Sequence, residues 1–167
     1  IERLARHAAG AGLLALDCAR RGDTVFSLMR PPGHHATRTH VMGFCYLNNI
    51  AITVLHALAT SAKRVAVFDF DVHHGNGTED IFGTDARVLF CSTFQHPYYP
   101  YGGTAPTAAH VINTPFAAGS GGMQFRQVVE TTWLPALEAF KPQLVMFSAG
   151  FDAHRDDDLA LLNFDER

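Results

Sequence analysis

Two short stretches of the sequence concentrate groups that can move protons or hold a metal. "FDFDVHHGNG", residues 68–77, carries Asp69, Asp71, His73, His74 and Asn76. "RPPGHHA", residues 30–36, carries the tandem His34 and His35 behind two prolines and a glycine. Asp69, Asp71 and His73 are spaced by two, so on a continuing strand all three side chains point to one face. Two carboxylates that close repel unless a cation lies between them. Asp71 and His73 are ligands of the type a divalent metal takes, and Asp152 in "GFDAH" is the natural third. Three protein ligands leave a coordination position open, as catalytic zinc sites do. A phosphatase with an aspartate nucleophile also places Asp-x-Asp after a strand. It wants Thr or Val two residues beyond the second aspartate, where this chain has His73. A single aspartate at a strand end is most often a turn or cap residue; the signal lies in the whole Asp-x-Asp-x-His-His-Gly unit.

The tandem histidines sit in a loop stiffened by Pro31 and Pro32, with Gly33 permitting close backbone approach. Acid/base groups need such fixed placement. Taken alone, His34-His35 reads equally well as an exposed loop with incidental histidines. Beside a metal site the pair acquires a use. Adjacent imidazoles titrate together unless their partners differ. A carboxylate such as Asp69 raises the pKa of the histidine it holds, whereas a neutral amide such as Asn76 leaves its histidine easier to deprotonate. Environments that push two pKa values apart let one site hold both an acid and a base.

These groups need a frame. "RVAVFDFD" (64–71) and "ARVLFCSTF" (86–94) are apolar with little alternation, as parallel strands covered on both faces should be. "QLVMFSAG" (143–150) reads as a further buried strand, "TVFSLM" (24–29) as a short buried one, and "VINTPF" (111–116) as another. Helical spacing runs over 3–20 (Leu4, Ala8, Leu13, Leu14, Cys18), over 46–61 (Leu47, Ile50, Ala51, Val54, Leu55) and over 123–140, closed by Lys141 and Pro142. The alternation predicts a parallel α/β sheet with helices on both faces. "HH", "DVHH", the aromatic loop "QHPYYPYGG" and "GFDAH" each follow a strand. They therefore converge on the sheet's carboxyl edge, where open α/β sheets bind ligands.

Composition narrows the class. A length of 167 residues suits one domain, and 47% hydrophobic against 17% charged residues argues against disorder. A net charge of −3 gives no basic footprint for nucleic acid, and no apolar run is long enough to cross a bilayer. Cys18, Cys45 and Cys91 are far apart without CxxC spacing, so a reducing, cytoplasmic setting is expected.

Taken together, "RPPGHHA" (30–36), "GFCYLNN" (43–49), "DFDVHHGNGT" (69–78), "STFQHPYYP" (92–100) and "SAGFDAHRDD" (148–157) resemble the histone deacetylase and acetylpolyamine amidohydrolase superfamily. Asn76 after "HHG" resembles its class II and bacterial branch. The resemblance implies a three-layer, arginase-like α/β fold with a mainly parallel sheet, incomplete at both ends, residues 1–167 being one partial catalytic domain. It implies Zn²⁺, with Fe²⁺ as the alternative, on Asp71, His73 and Asp152. His34 and His35 would stand beside the activated water, oriented by Asp69 and Asn76 respectively. Gly43 and Phe44 would line an acyl-lysine channel, with Tyr99 facing Phe44 across it. A structural K⁺ would take Asp69, Asp71, His73, Ser92 and Thr93, mostly through backbone oxygens.

The reaction implied is hydrolysis of an acetyl-amide, the substrate an acetylated lysine in a peptide or protein. An acetylated small amine, or a non-catalytic acyl-lysine or metal-binding role, stays open. The family's catalytic tyrosine lies in a Gly-Gly-Tyr-like segment downstream of the third ligand, beyond Arg167. The sequence is therefore expected to be an internal piece, weak or inactive by itself. Asp158 stands where bacterial members usually carry proline, and Gly122 where many carry an acidic residue.

Overall fold

The structure is a computed structural model and describes residues 1–166. Four parallel strands form the centre: β1 (Val65–Asp69), β2 (Val88–Gln95), β3 (Val111–Phe116) and β4 (Leu144–Ser148), in the order β3-β2-β1-β4. Every residue of β1 and β2 is buried, which explains why both are apolar until their carboxyl ends. β4 departs from the expectation of a covered strand. Among the described residues it pairs only with β1, and Val145 and Phe147 on it are exposed.

One face of the sheet is covered by α1 (Glu2–Ala19), α2 (Asn49–Thr60) and the short α3 (Asn76–Phe82). Their core joins Leu16, Val54 and Phe82 to Val65, Val67, Val88 and Phe90. The face α1 buries is Ala5, Ala8, Ala9 and Leu16, while Leu4 and Leu14 are exposed. Small residues prevail there because α1 and α2 lie close: a Cβ on Gly12 would meet the Thr53 hydroxyl at 2.3 Å. α2 begins later than its apolar spacing suggests, because Asn48 caps it, accepting from the Ala51 amide at 3.0 Å. Leu47 falls outside the helix, and Leu55 is exposed.

The opposite face is covered by one long helical run, α4 (Gly122–Val128) passing through a π-turn (Val129–Trp133) into α5 (Leu134–Phe140). It ends at Lys141, whose φ of 51° is left-handed, followed by Pro142. Trp133 stacks on Phe68 at 5.0 Å between ring centroids and anchors this layer. The expected strand at 24–29 does not form. The segment is irregular, and Val25, Phe26, Leu28 and Met29 are exposed.

β1, β2 and β3 step outward in one direction, whereas β4 lies on the other side of β1. The crevice between β1 and β4 is therefore a topological switch point, opening at the carboxyl ends of both strands.

Candidate metal and acid/base centre

β1 ends at Asp69, so Asp71 and His73 are not on a strand. The expectation that all three share a pleated face is corrected: residues 71–73 form bends instead. The spacing of two still matters, for a local reason. Asp69 Oδ1 accepts from the Asp71 amide at 3.2 Å, and Asp71 Oδ1 accepts from the His73 amide at 2.8 Å. Two successive Asx turns thus fold the segment and aim each side chain. Across the crevice, the loop after β4 brings Asp152, whose Oδ1 accepts from the Val72 amide at 3.0 Å. Its other oxygen lies 3.1 Å from His73 Nδ1, which is also 2.8 Å from Asp71 Oδ1. Ligand atoms of Asp71, His73 and Asp152 all fall within 4.8 Å of one another.

The tandem histidines lean on the same point. His34 Nδ1 is 2.9 Å from Asp69 Oδ2, both groups buried, and His34 Nε2 is 3.7 Å from Asp71 Oδ2. His35 Nδ1 is 2.7 Å from Asn76 Oδ1. The two rings lie 4.0 Å apart, and His35 is 5.7 Å from the His73 ring. The short α3 fixes this loop, since its Gly77 and Thr78 amides donate to the His34 carbonyl at 2.9 and 3.1 Å.

The surroundings separate the two imidazoles. Burial works to lower the His34 pKa, but the Asp69 and Asp71 carboxylates outweigh it and hold it at about 9. Burial and the charge on His34 push His35 down to about 4. Burial works to raise Asp71, yet His34 and His73 bring it to about 2. Burial opposes a charge on His73, but Asp152 and Asp71 raise it to about 9. Carboxylates that favour a proton at that point favour a divalent cation there too. The oxygen–nitrogen–oxygen donor set suits zinc or ferrous iron.

Glycines close the back of the site. A Cβ on Gly150 would stand 2.1 Å from Asp71 Oδ2, one on Gly75 would stand 2.3 Å from Asp69 Oδ2, and one on Gly43 would stand 2.2 Å from the His35 ring. The Tyr99 ring meets His35 edge-on at 5.1 Å and His73 at 6.1 Å. Phe44 is 87% exposed and makes no ring contact with Tyr99 among the described residues. Ser92 and Thr93, on β2 beside Asp69, are buried with hydroxyls that lack a hydrogen-bond partner among the described residues.

The family model for the histone deacetylase domain matches residues 1–167. The chain belongs to the histone deacetylase family. It is 42% identical over 171 residues to histone deacetylase 14, chloroplastic, of Arabidopsis thaliana, a match covering 94% of this chain and 40% of that one. Among solved structures, the HD domain of HDA15 superposes with a TM-score of 0.92 at 38% identity, covering 97% of this chain and 50% of that one. An acetylpolyamine aminohydrolase from Burkholderia pseudomallei superposes with a TM-score of 0.85 at 36% identity, covering 93% and 48%. The chain thus spans half or less of the length of these histone deacetylase relatives.

Sequence reading passed over two contributors. Tyr98 stacks on the His73 ring at 5.4 Å while its hydroxyl donates to the Leu159 carbonyl, tying the aromatic loop to the segment after Asp152. Its position beside Tyr99 was the available signal. The glycines at 75 and 150 were the second, since small residues next to charged ones signal close approach.

Proposed function

We propose that the protein hydrolyses the acetyl-amide of an acetylated lysine, with Asp71, His73 and Asp152 holding Zn²⁺ or, alternatively, Fe²⁺. The observation that carries this reading is the pair of adjacent buried histidines with unlike partners, Asp69 and Asn76, beside a three-ligand cluster. A divalent cation there would polarise the acetyl carbonyl and lower the pKa of water at the site. His35, held by a neutral amide, takes the proton from that water and later delivers it to the leaving amine. His34, paired with Asp69, keeps positive charge beside the developing oxyanion. Gly43 and Phe44 on one loop and Tyr99 on another supply the walls for a slim acyl-lysine chain. The unpartnered Ser92 hydroxyl, on the strand position paired with Asp69, supports a K⁺ held there with Asp71 and His73, with Thr93 contributing a backbone oxygen. The three free cysteines support a reducing, cytoplasmic setting.

A second reading, hydrolysis of an acetylated small amine, draws support from the likeness to the Burkholderia enzyme. The full-length protein, loaded with metal, should be assayed on acetyl-lysine peptides and on acetylpolyamines, with metal content measured alongside. Turnover of the peptide is expected. Selective turnover of the polyamine would favour the second reading. No turnover of either substrate with metal bound would overturn both, leaving a binding module.

A further inference from the structure

A second buried charged group lies behind the site and has no part in the chemistry above. Glu79, on α3, is 5% exposed. Its Oε2 lies 2.8 Å from His74 Nε2 and accepts from Asn113 Nδ2 on β3 at 2.7 Å. Its Oε1 accepts from the Thr107 amide at 3.0 Å. Both carboxylate oxygens are thus engaged, by the nearby His74 and by two segments distant in sequence. Two of these partners matter for substrate. His74 directly follows His73. Thr107 belongs to the 96–110 connection between β2 and β3, the loop that carries Tyr99.

That loop is long and has no helix or strand of its own, so it must be fastened from outside. Its front is tied by the His96 amide to the Phe116 carbonyl and by Tyr98 to Leu159. Its middle rests on His74: Gly103, at a φ of 88°, comes so near that a Cβ there would stand 2.7 Å from the imidazole. The same imidazole packs on Phe94 at 4.7 Å. Its rear is held by Thr107 on Glu79 and by His110 Nε2 on the Phe82 carbonyl at 3.0 Å. Glu79 therefore grips the rear directly and the middle through His74.

Resting on the deacetylase reading, we propose that Glu79 is a positioning residue which, through His74 and Thr107, fixes the aromatic loop and so sets the Tyr99 wall of the acyl channel. Removing the carboxylate takes the ion-pair partner from buried His74 and the acceptor from half-buried Asn113 and the Thr107 amide, and relaxation falls on the irregular loop rather than on the sheet.

The test uses the full-length, metal-loaded protein. Glu79→Ala is expected to raise KM for an acetyl-lysine peptide about tenfold, with kcat changed less than about threefold. It should also narrow the preference for acetyl over butyryl. Amide exchange over 98–107 should quicken while exchange over β1 stays unchanged. Glu79→Gln, which keeps an acceptor oxygen, should restore part of the KM. Should Glu79→Ala fail to fold, Gly103→Ala presses the loop away from His74 and should reproduce the shift in acyl preference and exchange. Unchanged KM, acyl preference and loop exchange in a folded variant would overturn the clamp and leave the proposed reaction standing. Quickened loop exchange in the variant, with no turnover by the unaltered protein, would overturn the reaction and leave the clamp standing.

Discussion

Replacing Gly150 by alanine tests the metal cluster with one methyl group. Gly150 follows β4, and its φ is not in the left-handed region, so alanine meets no backbone penalty there. The added Cβ would instead stand 2.1 Å from Asp71 Oδ2, 2.5 Å from its Cγ and 2.7 Å from its Cβ. To regain ordinary contact the carboxylate must retreat by about 1.3 Å. Metal–ligand distances tolerate only about 0.2 Å, so Asp71 either leaves the cluster or strains the chain. Loss of an orienting partner alone weakens metal binding about 10–100-fold, and displacing a ligand should cost at least the upper end, or about 2.7 kcal/mol. Relieving the overlap should cost a further 1–3 kcal/mol or so of fold stability. Chelator competition reads the first quantity, and denaturant unfolding of the metal-free protein reads the second. Gly10→Ala is the control: it lies on exposed helix with nothing within 4 Å of the new atom. It should stabilise by about 0.5–1 kcal/mol and leave metal binding alone. Metal affinity in Gly150→Ala equal to that of Gly10→Ala would refute the placement of Asp71.

Further expectations follow from the same geometry. His35→Ala should lower kcat by more than the ~10²–10⁴-fold typical of a single acid/base group, since in the proposed reaction one imidazole would move the proton twice; metal content equal to wild type must accompany the loss. Trp133→Ala removes the anchor of the α4–α5 layer and should cost about 3–5 kcal/mol in unfolding experiments. Trp133→Phe should cost far less, because the indole nitrogen has no hydrogen-bond partner among the described residues. Burial works to raise the Glu79 carboxyl, but His74, Asn113 and Thr107 bring it from 4.5 to about 2. A depressed carboxyl pKa adds stability that is full above about pH 4.5 and lost as pH falls toward 2. The wild type should therefore lose up to about 3 kcal/mol more than Glu79→Gln across that window; parallel denaturation profiles would contradict the assignment.

The parts of the fold legible in the sequence are those where one physical demand dominates. β1 and β2 read clearly because a parallel strand covered on both faces admits almost no polar residue. Residues 24–29 have the same composition, but composition is only half of a strand. Its backbone must find a hydrogen-bonding neighbour, and this segment has none among the described residues. α3 carries no periodic signal because seven residues give two turns at most, with Gly77 and Thr78 in the first. Its formation owes more to the His34 carbonyl accepting its first amides than to any periodicity. Glu79 was equally hidden, since a buried carboxylate is recognisable only from partners that arrive from 28 and 34 positions away.

The ligand segment shows how a correct spacing can rest on a different cause. On a pleated strand, Asp69, Asp71 and His73 would be parallel and equally spaced, and their ligand atoms would diverge along the strand by nearly 7 Å per pair. Such an array cannot close around one ion. Ending the strand at Asp69 lets each aspartate fold back on the amide two residues ahead. The rise per residue falls, and Asp71 and His73 turn toward Asp152. Asp69 is left behind in the core, facing His34 instead of the cluster. The same Asp-x-Asp-x-His repeat thus gives its members two places, one carboxylate against a histidine and the next in the cluster that would hold a cation. What separates the places is the point where pairing with β2 and β4 stops. Extending that pairing by two residues should abolish the cluster while leaving every side chain in place in the sequence.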